Sequence, residues 1–359
     1  MNQAKAKLEW IECLRYPLIV GVVLIHAYDP VKGYDGTLVS LQGRDPAADV
    51  VMFFVSQIFA RLSVPAFFVF AGFFFFRSTF ASGLNRWVTE VAKRIRTLLI
   101  PFLIWSLLVL LVYYAAQRIG VVPVGEDSRV GNIAQLSLVE IIDLLLGVTR
   151  YPVAYQFWFL RDLIVCVAIS LPVIFASRGA FITVTAVLGL CWFSGYGVTL
   201  IPSSTALFFF LLGGLSSVVR CNLELPVPAP FLIVGLVILA ICDFLAKDSE
   251  AGEYIHRAFL LCGVASLSLV GKLISRNETI AGSIKALGAT AFFLYAAHEP
   301  GLMALKKFLV NLYPWEGTIQ VLFAFFLPAL LVIVLCGAAY KFLASVVPKF
   351  LSVSTGGRN

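Results

Sequence analysis

Long runs of apolar residues, broken by few charges, constrain the fold of this chain more than any other feature of its sequence. Of its 359 residues, 60% are hydrophobic and 13% are charged, and the mean hydropathy is +0.94. Soluble globular chains are about half apolar and about a quarter charged. We therefore predict an all-α fold, a polytopic membrane helix bundle of about ten transmembrane helices. The predicted spans cover residues 11–29, 50–76, 97–117, 157–175, 180–196, 203–219, 231–246, 254–273, 287–310 and 318–343.

The distribution of Lys and Arg indicates which way the bundle faces. With the N-terminus inside, and with charges near the span ends counted with the adjoining segment, fifteen of the 27 Lys and Arg residues fall in inner segments, nine in outer segments and three deeper within spans. Cytoplasmic loops of membrane proteins carry the excess of these residues. We therefore predict that both termini are cytoplasmic, with the basic stretch 86–96 as the strongest anchor. Residues 1–359 are predicted to form a single transmembrane domain, with a flexible C-terminal tail at 344–359.

The seven cysteines and the net charge of +7 argue against two classes of function. No two cysteines form a Cys-x-x-Cys pair, and most lie in apolar runs, where they act as small apolar side chains. The sequence therefore predicts neither a disulfide framework nor a metal site. The positive charge is small and dispersed, so we predict no nucleic-acid partner; the lipid bilayer is the expected surrounding.

The first span, "IECLRYPLIVGVVLIHAYDP" (11–30), keeps an arginine near its inner end and a histidine near its outer end. Eleven helical steps of ~100° return to nearly the same azimuth, so Arg15 and His26 share one face, ~16 Å apart in rise. Taken singly, Arg15 fits a snorkelling anchor and His26 an interfacial polar residue. Together they indicate a polar pathway. Asp29, one turn beyond, either orients the His26 ring or is a helix-end turn residue.

Two further spans carry charges where a membrane helix rarely keeps them. Arg61 lies near the middle of the second span, too deep to snorkel easily, and Pro65 after it can kink the helix. The fourth span opens with "FWFLRDL", in which Arg161 and Asp162 are adjacent. Adjacent helical residues point ~100° apart, so we predict that these two do not pair with each other. Asp162 also fits a plain helix-start charge.

The ninth span, "ATAFFLYAAHEPGLMALKKFL", carries His298 and Glu299 directly before Pro300. A His–Glu step at a helix break fits an element of a site, and it equally fits a hydrogen-bond network that satisfies the broken backbone. Across the bundle, Arg15 is inner, Arg61 is central, and the other candidates lie in the outer half. This asymmetry suits a phosphate-bearing donor that enters from within and an acceptor that arrives from outside.

Four stretches, in this order along the chain, carry a family resemblance. The first is the spacing Arg15-x10-His26, and the others are "ARLSVPAFFVFAGFFFF" (60–76), "FWFLRDLIV" (157–165) and "AFFLYAAHEP" (291–300). With these stretches the chain resembles the acyltransferase-3 family of integral membrane O-acyltransferases. It resembles the stand-alone type, which has no fused extracytoplasmic hydrolase-like domain. Ala71 stands where members of the family often have serine.

The resemblance implies a reaction, a substrate class and a location. The expected reaction moves an acyl group, most often acetyl, from cytoplasmic acyl-CoA to a hydroxyl of a cell-envelope glycan or lipid-linked saccharide. His26 is then expected to be catalytic, and Arg15 to belong to the donor site. The implied location is the bacterial cytoplasmic (inner) membrane. Acyl-CoA is a co-substrate in this reaction, and no bound cofactor is expected.

Acyl transfer from a thioester needs a base for the hydroxyl, donors for the oxyanion and cations for the donor phosphates. His26 suits the base, Arg61 or Arg161 the oxyanion, and Arg15 the phosphates. The sequence leaves open a covalent acyl-histidine and an acidic proton acceptor. The candidate catalytic residues are therefore His26, Arg61, Arg161 and Glu299, and the candidate substrate- or cofactor-binding residues are Arg15, Asp29, Asp162 and His298. A transporter or flippase for a glycan or lipid-linked sugar is the alternative function, since buried charges and broken helices also suit transporters.

Overall fold

The computed structural model describes residues 8–32, 38–121, 130–196, 201–221, 223–224 and 226–357. Its helices in chain order are α1 (Glu9–Tyr28), α2 (Pro46–Phe53), α3 (Ser63–Thr79), α4 (Leu84–Arg94), α5 (Ile100–Arg118), α6 (Leu138–Leu146), α7 (Trp158–Ile169), α8 (Leu171–Ile174), α9 (Arg178–Phe193), α10 (Ser204–Val218), α11 (Ala229–Ala246), α12 (Gly252–Ser275), α13 (Glu278–Gly288), α14 (Ala291–Leu312), α15 (Thr318–Val346) and α16 (Pro348–Ser354). Two short strands, β1 (Val31–Lys32) and β2 (Leu38–Val39), pair antiparallel after α1. A π segment (Phe54–Phe59) and a 3₁₀ segment (Ala60–Leu62) join α2 to α3.

Every predicted span contains a helix, and the all-α membrane bundle is confirmed. Within the described residues, six continuous helical stretches are long and apolar enough to cross a membrane. A seventh span arises if α13 and α14, bent by 59° at a short break, count as one. Helices α9 and α10 are apolar but shorter, with 16 and 15 residues, and α7 has 12. The orientation of the bundle and the cytoplasmic placement of both termini stay predictions.

Glycines allow helices to approach backbone to backbone around α3. A Cβ atom on Gly72 of α3 would lie 1.8 Å from the carbonyl oxygen of Phe210 in α10. A Cβ atom on Gly21 of α1 would lie 2.4 Å from the hydroxyl oxygen of Ser63, the first residue of α3. Only a hydrogen fits at such distances, as is usual where small residues line membrane-helix contacts. Helix α3 is thereby fixed between α1 and α10, and so is the backbone directly before it.

The second span departs from a regular α-helix just before α3. Pro65 has no amide hydrogen, and its ring crowds the carbonyl of Arg61 four residues earlier. The backbone ahead of it loosens into the π segment and then tightens into the 3₁₀ segment. The hydroxyl of Ser56 donates to the carbonyl of Leu24 at 2.7 Å, which ties the π segment to α1. Irregular turns of this kind are frequent at functional sites in helices.

The C-terminal segment is helical in the part that the structure describes, and the flexibility of the tail at 344–359 stays a prediction. Helix α15 runs to Val346, and α16 follows almost at once. Leu351 is buried, and the indole nitrogen of Trp105 donates to the carbonyl of Ser354 at 3.0 Å. One apolar side chain and one carbonyl dock this short helix on α5. Local composition does not reveal such a long-range contact.

Candidate active site

A cavity of about 730 Å³ runs along one face of α1. The α1 residues that line it follow helical spacing: Ile11, Glu12, Arg15, Ile19, Val22, Ile25 and His26. The prediction that Arg15 and His26 share one face is therefore confirmed, and the cavity joins them. Its other walls are rich in aromatic side chains from α3, α7 and α14, among them Phe67, Phe70, Phe74, Phe159, Phe292 and Tyr295. The cavity therefore extends along α1 from Arg15 to His26.

Three cations gather at the end of the cavity where α1 begins. Arg15 lies on α1, Arg94 at the end of α4, and Lys285 on α13. Lys285 forms an ion pair with Glu9, and Arg94 Nη1 lies 3.8 Å from Glu90 Oε2. Among the described residues, no carboxylate forms an ion pair with Arg15, whose side chain is exposed at the cavity. We refer to Arg15, Arg94 and Lys285 together as the cation end. These three side chains can bind an anion.

His26 lies at the opposite end of the cavity, in a hydrogen-bonded cluster. Its Nδ1 lies 3.2 Å from Asp29 Oδ2 and 3.3 Å from the hydroxyl of Tyr155. That hydroxyl donates to Glu299 Oε1 at 3.1 Å, and its oxygen can accept from His26. Both contacts engage Nδ1, and a hydrogen on Nδ1 satisfies either acceptor. Nε2 then carries the lone pair, and the ring is set to act as a base through that atom.

A break in α14 brings His298 and Glu299 beside His26. Glu299 has non-helical backbone angles (φ −105°, ψ 141°), directly before Pro300. His298 is fully buried, and its ring stacks on that of His26 with centroids 5.5 Å apart. Its Nδ1 lies 2.8 Å from the carbonyl of Tyr295, so Nδ1 carries the hydrogen. Within the described residues Nε2 has no hydrogen-bond partner. His298 thus satisfies the backbone at the break and packs against His26.

Lys306 caps the end of α1. Its Nζ donates to the carbonyls of His26 and Asp29 at 2.6 and 2.5 Å, and the residue is 6% exposed. The last carbonyls of a helix lack an intrahelical partner, and a cation there also meets the negative end of the helix dipole. Lys306 is one of the nine cations counted with the outer segments, whereas the structure buries it in the bundle. The cap fixes the backbone that carries His26.

Arg61 reaches the cavity between its two ends. Its Nε and Nη2 lie 3.1 and 2.7 Å from Gln57 Oε1, a neutral acceptor. Ser63, two residues on, packs on Gly21 of α1, five residues before His26 and thus ~8 Å lower in rise. No carboxylate of the described chain forms an ion pair with Arg61. Its guanidinium therefore keeps donors for a ligand held near this level.

Arg161 and Asp162 pair with each other, so the prediction that they do not was wrong. Nε and Nη2 of Arg161 lie 3.0 and 2.9 Å from Asp162 Oδ1, and Asp162 Oδ2 accepts from the amide of Ser203 at 2.8 Å. Arg161 Nη1 also donates to the carbonyl of Gly147 at 2.5 Å. The long arginine side chain bends across the ~100° between neighbouring helical positions. The pair ties α7 to the end of α6 and to the start of α10, away from the cavity.

The loop between α6 and α7 has a carboxylate anchor of its own. The hydroxyl of Thr149 donates to Asp143 at 2.6 Å, and Arg150 Nε lies 2.9 Å from the same carboxylate. These hydrogen bonds favour the charged form and hold the pKa of Asp143 well below its usual value. Gly147, left-handed at the end of α6 (φ 71°), lets the chain turn back toward α7. The carbonyl that receives Arg161 is thereby fixed.

Five residues of this site are not among the predicted site residues: Tyr155, Lys306, Gln57, Arg94 and Lys285. Tyr155 stands two residues before the stretch "FWFLRDL", in a loop where no periodic signal exists. Lys306 follows His298 by eight residues within an apolar helix. A lysine at such a position itself indicates a functional or structural role, but Lys306 was counted with an outer segment and was therefore not considered. Gln57 precedes Arg61 by four residues, the spacing at which helical side chains meet.

Comparisons with known proteins cover this whole arrangement. A family profile described as "Acyltransferase domain" matches residues 8–338, which include both ends of the cavity. The chain is 25% identical over 370 residues to "Succinoglycan biosynthesis protein ExoH" of Rhizobium meliloti (strain 1021), an alignment that covers 97% of this chain and 92% of that protein. No solved structure matches the chain.

Proposed function

This chain belongs to the acyltransferase family, and from that premise we propose that it moves an acyl group, acetyl being the expected one, from acyl-CoA to a hydroxyl of a cell-envelope glycan or lipid-linked saccharide. One observation carries the proposal: a single cavity joins three cations at one end to a hydrogen-bonded histidine at the other. The relative named for succinoglycan biosynthesis supports a polysaccharide acceptor. The apolar helices make the chain an integral membrane protein. We place it in the bacterial inner membrane, with the cation end toward the cytoplasm.

The donor enters, in this proposal, from the cation end. Arg15, Arg94 and Lys285 bind its phosphates, because guanidinium and ammonium groups form charge-assisted hydrogen bonds with phosphate oxygens. The narrow pantetheine arm then follows the cavity along α1, against the aromatic walls. This arrangement delivers the thioester to the level of Arg61 and His26.

His26 Nε2 takes the proton of the acceptor hydroxyl as the hydroxyl oxygen attacks the thioester carbon. The new C–O bond forms, and the carbonyl electrons move to the oxygen, which Arg61 stabilises with its free N–H groups. When the tetrahedral intermediate collapses, the C–S bond breaks and the proton passes from His26 to the coenzyme A thiolate. Asp29 and Tyr155 hold the Nδ1 hydrogen throughout, and Glu299 acts on His26 through the Tyr155 hydroxyl.

The remaining predicted residues take supporting roles in this proposal. Arg161 and Asp162 are engaged with each other and with two helix ends, so the oxyanion role falls to Arg61 alone. His298 packs on the imidazole of His26 and limits its tilt. None of these three residues is among those that line the cavity.

Transfer of label from radioactive acetyl-CoA to envelope polysaccharide tests the function directly. Purified protein in proteoliposomes should label the polysaccharide, whereas His26→Gln should not. Mass spectrometry of the product identifies the acyl group. Movement of unmodified glycan across the membrane, without transfer of label, would contradict the proposal and support the transporter or flippase.

A further inference from the structure

Gln57 holds Arg61 by one edge of its guanidinium group. Both Nε and Nη2 of Arg61 contact the same oxygen, Gln57 Oε1, at 3.1 and 2.7 Å. A guanidinium carries five N–H donors in one plane, so the edge opposite to Gln57 keeps its hydrogens. Arg61 lines the cavity, where its side chain is exposed. The free edge is therefore available to a ligand in the cavity.

The backbone on both sides of this contact is fixed to α1, the helix that carries His26. Ser56, next to Gln57, donates its hydroxyl to Leu24. Ser63, two residues after Arg61, packs on Gly21, where an added Cβ would lie 2.4 Å from the Ser63 hydroxyl oxygen. Gln57 belongs to the π segment and Arg61 to the 3₁₀ segment, so the contact bridges the change in helix type. The amide thus sets the guanidinium at a defined height along α1.

The acceptor that holds Arg61 is neutral, and this is unusual for an arginine inside a membrane bundle. Buried charges are normally paired, as Arg161 is with Asp162. Glutamate has the same length as glutamine and would place an oxygen at the same position. A carboxylate there would largely cancel the charge of Arg61, whereas the amide orients the group and adds no negative charge in direct contact with it. A cation with no directly bound counter-charge beside a cavity suits negative charge that develops during a reaction.

We propose that Gln57 is a positioning residue: it aims Arg61 at the thioester carbonyl and, being neutral, leaves the arginine charge available to the oxyanion. The inference rests on the proposed function and deepens it, since it names what orients the oxyanion donor. It assigns to Gln57 no contact with substrate. Its effect on transfer is exerted through Arg61.

Two substitutions separate this role from a purely structural one. Gln57→Glu keeps the contact and strengthens it but neutralises Arg61, so we expect transfer to fall by about 10²–10³-fold, the loss typical of an oxyanion donor. Gln57→Leu releases Arg61 but preserves its charge, so transfer should fall less, by roughly tenfold. A structural role predicts the opposite order, with Gln57→Glu near wild type and Gln57→Leu worse. Gln320→Glu, on an exposed position of α15, is the matched control and should leave transfer unchanged.

Three further measurements complete the test. Calorimetric binding of acetyl-CoA should be similar in all variants, because the ground-state thioester carries no oxyanion; a large loss of donor binding in Gln57→Glu would overturn the inference. In an Arg61→Ala background, Gln57→Leu should cause no further loss, whereas additive losses would show that Gln57 acts elsewhere. This cycle also serves if Gln57→Glu fails to fold. If wild-type protein itself transfers no label, the proposed function fails, and that result is distinct from an inverted order of the two variants.

Discussion

Two groups of buried or membrane-embedded charges in this bundle differ in what satisfies them. Arg161 and Asp162 form a closed pair, in which all the hydrogen bonds named above are made with protein groups. The two side chains bind each other, a carbonyl at the end of α6 and an amide at the start of α10. The open set, Arg15, Arg61 and His26, lines a cavity: Arg61 has a neutral partner, His26 contacts Asp29 and Tyr155 through Nδ1, and no carboxylate of the described residues forms an ion pair with Arg15. A charge within a membrane helix shows only that a partner is needed. The contacts indicate whether that partner is protein or ligand.

The difference also separates two kinds of energetic consequence. Removal of one member from a buried pair leaves an uncompensated charge and typically costs about 3–5 kcal/mol of stability. Removal of a group that faces a cavity should cost the fold less, because no fully buried counter-charge is left behind without its partner. Substitutions in the closed pair should therefore lower stability, and substitutions in the open set should lower function.

His26→Gln should cause the largest loss of transfer, on the order of 10²–10⁴-fold for a general base. Glutamine is polar and of similar reach, but it cannot take up the hydroxyl proton. Acetyl-CoA binding, measured by calorimetry, should be largely retained because the cation end is ~16 Å away along α1. Normal transfer by this variant would make Glu299 or His298 the leading candidate for the base.

Arg61→Ala should reduce the maximal rate of transfer by about 10²–10³-fold, as expected for loss of an oxyanion donor. Arg61→Lys should also be impaired, because lysine has no planar guanidinium group. Gln57 Oε1 therefore cannot orient it through two N–H groups at once, as it does Arg61. Both variants should insert and purify like wild type. If both were fully active, Arg61 would join the closed pair as a structural charge.

Arg15→Ala should weaken donor binding by roughly ten- to a hundredfold, the range for a lost hydrogen bond to a charged group. The defect should be relieved in part at high donor concentration, because the chemistry at His26 is intact. Steady-state kinetics at varied acetyl-CoA would measure it. A fall in maximal rate with unchanged donor affinity would place the phosphates elsewhere.

Tyr155→Phe should lower transfer by about two- to tenfold, the range for one neutral hydrogen bond. The variant removes the hydroxyl that links His26 to Glu299 and keeps the edge-on ring contact with His26, whose centroid distance is 5.0 Å. Asp29 still accepts from Nδ1 and should preserve most of the activity. Loss as large as that of His26→Gln would mean that Tyr155 takes part in proton transfer itself.

Asp162→Ala should have the smallest effect on transfer per folded molecule and the largest effect on stability. It leaves Arg161 unpaired and the amide of Ser203 without its acceptor, at a cost of about 3–5 kcal/mol. Thermal unfolding in detergent should show a clear drop in midpoint, with donor affinity unchanged. A variant of wild-type stability and impaired chemistry would move this pair into the open set.

How far the sequence predicts the molecule depends on how local each feature is. The shared face of Arg15 and His26 follows from helical geometry alone, and the cavity confirms it. The Arg161–Asp162 contact was mispredicted because spacing describes Cβ directions and ignores the reach of a long side chain. Tyr155 and Lys306 meet His26 only through tertiary packing, across more than a hundred residues of chain. No local pattern encodes such distances.

The same reasoning applies to the backbone of the site. Pro65 and Pro300 predict helix breaks, and the structure has irregular backbone directly before each of these prolines. The proline fixes where a break falls, because it removes a hydrogen and crowds a carbonyl. It does not fix which contacts then form: Ser56 donates to a carbonyl of the neighbouring helix α1, whereas His298 donates to the carbonyl of Tyr295, one turn earlier in α14.

The central claim is that one face of α1 links donor binding to chemistry. The most direct test is an electron cryo-microscopy structure of the purified protein with a non-reactive thioether analogue of acetyl-CoA. We expect the phosphates within hydrogen-bond distance of Arg15, Arg94 and Lys285, the pantetheine arm along the cavity, and the acetyl carbonyl between Arg61 and His26. A donor bound outside this cavity, or with its phosphates at the His26 end, would contradict the claim.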